Sequence, residues 1–195
     1  MSNNIAGVSL QGKYIRLRPF EESDITIMHR WRNDIANLHL WSTRRHTVSL
    51  EEFIAELRND FATDRHIQMM IEKVSDNSAI GMIYSYNAQF IDGHCWITIF
   101  IEPGKTGLGF GAEAVALMLE YLFSYFGFYK VYADIYEYNK ASASNMEKGG
   151  FAEEGRSKQH RFFAGEHYDL VRYAIYSSRL PEIRQFVAHL TRRDK

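Results

Sequence analysis

Thr106-Gly107-Leu108-Gly109-Phe110-Gly111 lies between a strand-like run, Cys95 to Ile101, and a strongly apolar helical run, Ala112 to Phe126. Three alternating glycines let a backbone pass close to a ligand without Cβ clashes. The helix behind them offers unpaired N–H groups and the positive end of its dipole. The expectation is a diphosphate cradle built from main-chain amides.

Upstream of this loop, Tyr14 to Arg18 reads as a first strand stopped by Pro19. Ser23 and Asp24 are placed to cap a helix through Ile27, Met28 and Trp31, and Ser49 with Glu52 forms a capping-box pattern ahead of Phe53, Ile54 and Leu57. Two helices thus precede the main sheet. His66 to Val74, Ala79 to Tyr86 and His94 to Ile101 read as an antiparallel meander, with turn chemistry at Ser75-Asp76-Asn77 and Asp92-Gly93. In the helix after the glycines, the polar residues Glu113, Glu120 and Ser124 predict one narrow wet stripe on an otherwise packed cylinder. Lys130 to Ile135 reads as a strand and Asn139 to Lys148 as a helix ended by Gly149-Gly150. Phe151 to Phe163 pairs with His167 to Tyr176 around Ala164-Gly165, and a helix over Pro181 to Leu190 closes the chain. The order is mixed α/β.

At 195 residues the chain fits one domain with a sizeable core. With 23 basic against 24 acidic side chains there is no net field to draw in a nucleic-acid backbone, and Arg192, Arg193 and Lys195 make only a small basic tail. No run approaches the length that spans a bilayer, and the first ten residues lack a leader pattern, so the expected setting is cytoplasmic without a membrane partner. Cys95 is the only cysteine, which excludes an internal disulfide and reads as a small buried hydrophobe. The eight histidines lack the close helical spacing of a zinc enzyme, and no metal is expected.

Several readings compete for residues 104 to 111. A Walker loop fails, because Ile99 stands where its first glycine belongs. A dinucleotide turn finds an acid in about the right place, Asp134, but its third glycine, Gly111, comes one residue early and the sheet before it reads antiparallel. A glycine-rich turn without any ligand stays open.

Joined to Asn139-Lys140-Ala141-Ser142 and Glu147-Lys148-Gly149-Gly150-Phe151, the loop resembles the GNAT superfamily of acetyl-CoA-dependent N-acetyltransferases. Members of that superfamily carry Gln/Arg-x-x-Gly-x-Gly/Ala, then Asn-x-x-Ser opening a helix that ends in Glu-Lys-x-Gly-Phe. The likeness runs from about Tyr14 to Tyr176 and includes Trp31-Arg32-Asn33 and the stretch from Glu154-Gly155 to Asp169. It looks like the branch holding ribosomal-protein N-terminal, spermidine and amino-sugar acetyltransferases. Two residues depart from the pattern. Thr106 replaces the long polar Gln or Arg, and Met146 stands where many members place a tyrosine that protonates the leaving thiolate.

The resemblance implies a single domain over residues 1–195, with its core at about 14–176 and a last helix at about 181–190. It implies a mixed, mostly antiparallel sheet flanked by helices, acetyl-CoA as acyl donor, and direct attack by a primary amine of a small molecule or a protein N-terminus. N–H groups of the strand ending near Ile101 would polarise the acetyl carbonyl. Thr106, Gly107, Leu108, Gly109, Phe110, Gly111 and Ala112 would hold the diphosphate. Asn139 and Ser142 would lie by the pantetheine arm, with Ser142 bonding the departing thiolate. Trp31, Arg32 and Arg44-Arg45 would border the acceptor groove, while Tyr136 and Tyr138 shape the acceptor pocket or donate a proton. Edge strands near the C-terminus are able to pair between subunits, which would give a homodimer. A GNAT-like acyl-CoA sensor with little turnover is the alternative, and Met146 is the residue that suggests it.

Acyl transfer needs a neutral amine. A lysine-like amine is neutral about once in 2,500 molecules at pH 7, a handicap of roughly 4–5 kcal/mol, whereas an α-amine loses only about 1 kcal/mol. A polyamine therefore needs a base more than an N-terminus does. In this sequence the candidates are His94, beside Asp92-Gly93, and Glu137, at the end of the next strand.

Overall fold

The computed structural model describes residues 10–41, 45–63 and 65–192. Seven strands form one sheet: β1 (Ile15–Pro19), β2 (Arg65–Lys73), β3 (Ala79–Gln89), β4 (His94–Ile101), β5 (Lys130–Tyr136), β6 (Ala152–Phe163) and β7 (Glu166–Tyr176). Their spatial order is β1-β2-β3-β4-β5-β7-β6. Every neighbouring pair is antiparallel except β4 and β5, which run parallel for three residue pairs, His94–Lys130 to Trp96–Tyr132, and then diverge. That divergence is a splay in the middle of the sheet.

Period-2 alternation sends opposite faces of the strands to two different cores. Ile71, Ile83, Cys95, Ile97, Val131 and Ile175 face α4 (Phe110–Tyr125), whose Leu117, Met118, Leu119 and Leu122 are fully buried, together with α5 (Lys140–Lys148) and α6 (Leu180–Arg192). Burying each such side chain is worth about 1.5–3 kcal/mol. The opposite face packs Met70, Met82 and Phe100 against α1 (Ile25–Arg32) and α3 (Leu50–Thr63), with α2 (Ile35–Trp41) beside them. These first helices pack on β2 to β4, and α2 reaches across to Phe163 of β6 through the His39 ring.

Most of the local signals have a counterpart in the structure. Ser49 and Glu52 exchange backbone-to-side-chain bonds at the start of α3 as the capping box requires. Before α1 the reciprocal cap is Glu21 with Asp24 rather than Ser23, around a 3-10 turn at Glu22–Asp24. The helix α2 adds a third element ahead of the sheet, where the sequence suggested two. The α4 stripe is polar but not wet. Glu113 is 0% exposed and accepts the amides of Lys13 and Tyr14 ahead of β1, while Glu120 and Ser124 accept from Arg184 on α6. The stripe is where the two ends of the chain dock. Burial pushes the Glu113 carboxyl above its ordinary range, against the opposing pull of those amides. Among the described residues no helix is long and apolar enough to cross a membrane.

Candidate active site

The glycine loop is bent by three left-handed residues, Gly104, Gly107 and Gly109, with φ of +85°, +78° and +85°. L side chains rarely adopt that region, which is why glycine stands there. Gly109 is the N-cap of α4 and supplies no side-chain acceptor. The first backbone bond of the helix runs from Glu113 N to Gly109 O at 3.1 Å, so the amides of Phe110, Gly111 and Ala112 precede the ladder and remain available. A Cβ built on Gly107 or Gly109 meets nothing within 4 Å, so the bend faces open space. Thr106 to Gly109 are exposed. Exposed amides at a helix N-terminus are a fit receptor for a diphosphate.

Behind the loop the splay leaves two strand edges unpaired. Glu102 N donates to Ile80 O at 2.8 Å, so by antiparallel alternation Thr98 and Phe100 also spend their amides on β3, while those of Ile99 and Ile101 point toward β5. On the other edge Glu137 N bonds Asp169 O, which turns the main-chain groups of Asp134 and Tyr136 toward β4 by the same rule. An extended ligand between the strands meets donors on both sides.

A cleft of about 480 Å³ passes through this gap. On the α4 and α5 side it is lined by Ile97, Ile99, Ala133, Ile135, Asn139, Ser142 and Met146. On the opposite side it is lined by Met28 and Arg32 of α1, Glu56 and Asp60 of α3, Tyr84, Tyr86, Thr98, Asp134, Tyr136, Leu170 and His160. The cleft is thus lined from both faces of the sheet.

Several expected site residues reach this cleft. Asn139 caps α5 by accepting Ser142 N at 3.2 Å, which leaves the Ser142 hydroxyl uncommitted among the described residues. Tyr136 lines the cleft under the Arg161 guanidinium, 4.6 Å from its ring centre. Met146 is buried in the wall and brings a thioether that carries no proton. Arg32 lines the cleft but is committed. It is 4% exposed, forks onto Glu56 at 3.0 and 3.2 Å, and donates to His46 O at 2.8 Å.

Other candidates lie elsewhere. Trp31 is 2% exposed and packs in the α1 core 5.3 Å from Phe100, so it braces the cleft wall without lining it. Asn33 completes that motif by pinning Val48 through both its amide groups. Tyr138 donates its hydroxyl to His39 O at 2.6 Å and stacks on Phe163, closing one rim. His94 sits at the closed end of the β4–β5 pair against Trp96 and Tyr132, four residues before Thr98, roughly 13 Å along a strand. Glu137 faces a separate cavity with Lys140, Glu147 and Glu153, paired with Arg156. Neither expected base lines the cleft. Arg45 is exposed, and Arg44 lies outside the described residues.

Two features had no clear sequence signal. Asp134 forms a forked pair with Arg172, 2.8 Å for each bond, and Arg172 lies 5.0 Å over the Trp96 ring, so a charged rim borders the open face. The Asp134 carboxylate holds the Arg172 guanidinium firmly in its charged form. His160 was hidden because a bulge in β6 brings it to the cleft. Cys95 is 0% exposed and burial pushes its thiol up to about 12, so no thiolate is on hand for a covalent route.

The chain is similar to known proteins along most of its length. Residues 15–152 match the acetyltransferase (GNAT) domain family. The chain is 24% identical over 165 residues to a spermidine N(1)-acetyltransferase of Vibrio cholerae, covering 85% of this chain and 94% of that one. It is 24% identical over 162 residues to the Escherichia coli O157:H7 enzyme of the same name, covering 83% and 86%. Among solved structures, the Vibrio cholerae spermidine N-acetyltransferase in complex with CoA and spermine superposes with a TM-score of 0.76 at 24% identity, covering 86% of this chain and 98% of that one.

Proposed function

Since the chain belongs to the acetyltransferase (GNAT) domain family and moves acetyl from acetyl-CoA to a primary amine, we propose that its acceptor is a flexible polyamine received on the open face of the splay. The observation that carries this reading is the make-up of the amine side. Glu56, Asp60 and Asp134 line it, with Arg32 paired to Glu56 and Arg172 paired to Asp134. Tyr84 and Tyr86 add ring faces that attract an ammonium by about 0.5–2 kcal/mol. Relatives named for spermidine acetylation support the same class.

In this reading the amides from Leu108 to Ala112 take the diphosphate, with Thr106 at their rim. The amides of Ile99 and Ile101 stabilise the oxyanion that forms as the amine attacks, a role whose loss typically costs about 3–4 kcal/mol. Ser142 donates its hydroxyl to the departing sulfur, which answers the absence of a tyrosine at Met146. Asn139 holds Ser142 in place through the helix cap.

The test is release of free CoA thiol with a panel holding spermidine, an amino sugar and a peptide with a free N-terminus. Spermidine should exceed the peptide by about tenfold or more in kcat/KM. Preference for the peptide would replace the polyamine by a protein N-terminus as acceptor.

A further inference from the structure

We propose that His160 is the group that takes the proton from the acceptor amine. The proposal rests on acetyl transfer in this cleft and adds the base that a polyamine requires. Between Ser157–Leu170 and Arg161–Tyr168, β6 spends four residues while β7 spends two, so the strand bulges outward. Gln159 takes the left-handed region there, with φ of +49°. Bulges of this kind re-aim a side chain, and this one brings His160 to the cleft wall.

The bulge is clamped on both sides of the histidine. Asp169 of β7 accepts Gln159 N at 3.0 Å and Lys158 Nζ at 2.8 Å. On the far side Arg161 is buried over the ring of Tyr136, on the amine face of the splay. His160 itself is exposed to the cleft, and among the described residues no hydrogen bond or ion pair occupies its ring. Its lone pair is therefore free to accept.

The other ionisable groups facing the cleft serve less well. From α1 and α3, Arg32 and Glu56 neutralise one another. From β5, both oxygens of Asp134 are committed to Arg172. Asp60 lines the α3 wall, and Tyr84, Tyr86 and Tyr136 line the sheet. Tyrosine hydroxyls ordinarily titrate far above neutrality, whereas imidazole is the side chain that exchanges a proton in the physiological range. The Lys158 ammonium and the backbone bond of Gln159 hold the Asp169 carboxyl down to about 2, so the clamp keeps its charge through the pH range in which an imidazole works.

The protons balance. His160 takes one proton from the ammonium and later returns it to solvent. The neutral nitrogen forms a bond to the acetyl carbon, the carbon–sulfur bond breaks with its electron pair going to sulfur, and the second amine proton ends on the thiolate. One amide, one thiol and one released proton result.

The experiment compares the enzyme with His160→Gln, using spermidine and trifluoroethylamine, an amine already neutral at pH 7. With spermidine at pH 7 the variant should lose about 10²- to 10³-fold in kcat, and the acid limb of the kcat profile should disappear. With trifluoroethylamine it should stay within about threefold of wild type. CoA affinity and melting temperature should be unchanged, as suits an exposed residue. Wild-type turnover with an unaltered limb in His160→Gln would overturn this proposal alone. An equal loss with both amines would also overturn it, by showing a role other than proton acceptance. No turnover of any amine by the wild type would sink both this proposal and the polyamine reading.

Discussion

Substituting alanine at Gly109 and, separately, at Gly111 tests the diphosphate cradle, because the two glycines are required for different reasons. Gly109 has φ of +85° and open space where a Cβ would stand. An L-residue forced into that region costs about 1–2 kcal/mol. For a chain of this size each kcal/mol moves the melting temperature by about 2–4 °C, so Gly109→Ala should melt about 2–8 °C lower. Its methyl enters the bend where the diphosphate is placed. Losing one charge-assisted amide bond of about 1.5–3 kcal/mol would weaken CoA binding about 10- to 150-fold. Gly111 has an ordinary φ, and its Cβ would stand 3.6 Å from Ile101 Cγ1 and 3.8 Å from Ile99 Cδ1, in normal van der Waals contact. Gly111→Ala should therefore melt at or above wild type, by up to about 1 kcal/mol from reduced chain entropy, and keep CoA binding within about threefold. Calorimetric melting with and without CoA, plus titration calorimetry, measures both quantities. Wild-type CoA affinity in Gly109→Ala alongside the expected loss of stability would remove the loop from the binding site. Equal melting temperatures for the two variants would refute the backbone argument itself.

Other substitutions probe the supports of the site. A Cβ on Gly12 would fall 2.1 Å from Glu113 Oε1, so Gly12→Ala should displace that carboxylate from the amides of Lys13 and Tyr14 and cost about 1–3 kcal/mol; an unchanged urea midpoint would contradict the dock between α4 and β1. Met146→Leu conserves volume and removes no proton, so kcat should stay within about twofold, and a tenfold fall would give the thioether a part in the chemistry. The carboxyl of Asp169 is held low by its partners. Its contribution to the β6 bulge is therefore fully present above the unfolded carboxyl value near 3.9 and is lost as pH falls toward about 2. Amide exchange at Gln159 measured from pH 6 down to 2 should show protection failing only in that low window, and loss of protection near pH 6 would contradict it.

The parts of the fold legible in the sequence were those set by local chemistry. The meander β2–β3–β4 follows from alternation and turn residues, and the end of α5 follows from its glycines. There Phe151 N bonds Met146 O and Gly150 N bonds Glu147 O, with Gly150 at φ of +89°. Long-range partners were not legible. Glu113 and Glu120 look solvated by composition, yet their partners, the amides ahead of β1 and Arg184, lie far along the chain. The helix α2 carries little periodic signal because seven residues make only two turns, with Leu38 its fully buried side chain.

The site divided along the same line. The loop and the cap at Asn139 are backbone devices with fixed spacing, and both stand where the motif places them. Trp31-Arg32-Asn33 is also a motif, but its side chains are engaged with the core, with Glu56 and with Val48, so it frames the cleft. His94 and Glu137 are the titratable groups that the sequence offers beside positions 95 and 96 and at the end of the next strand. The splay decides which strand residues reach the cleft, and a bulge two strands away brings His160 there instead.

A crystal structure of the protein with CoA and a polyamine tests the central claim most directly. The account predicts pyrophosphate oxygens within hydrogen-bond distance of the amides from Leu108 to Ala112, with the amine entering from the opposite face beside Asp134 and His160. A nucleotide bound away from the start of α4, or both ligands entering from one face, would contradict it.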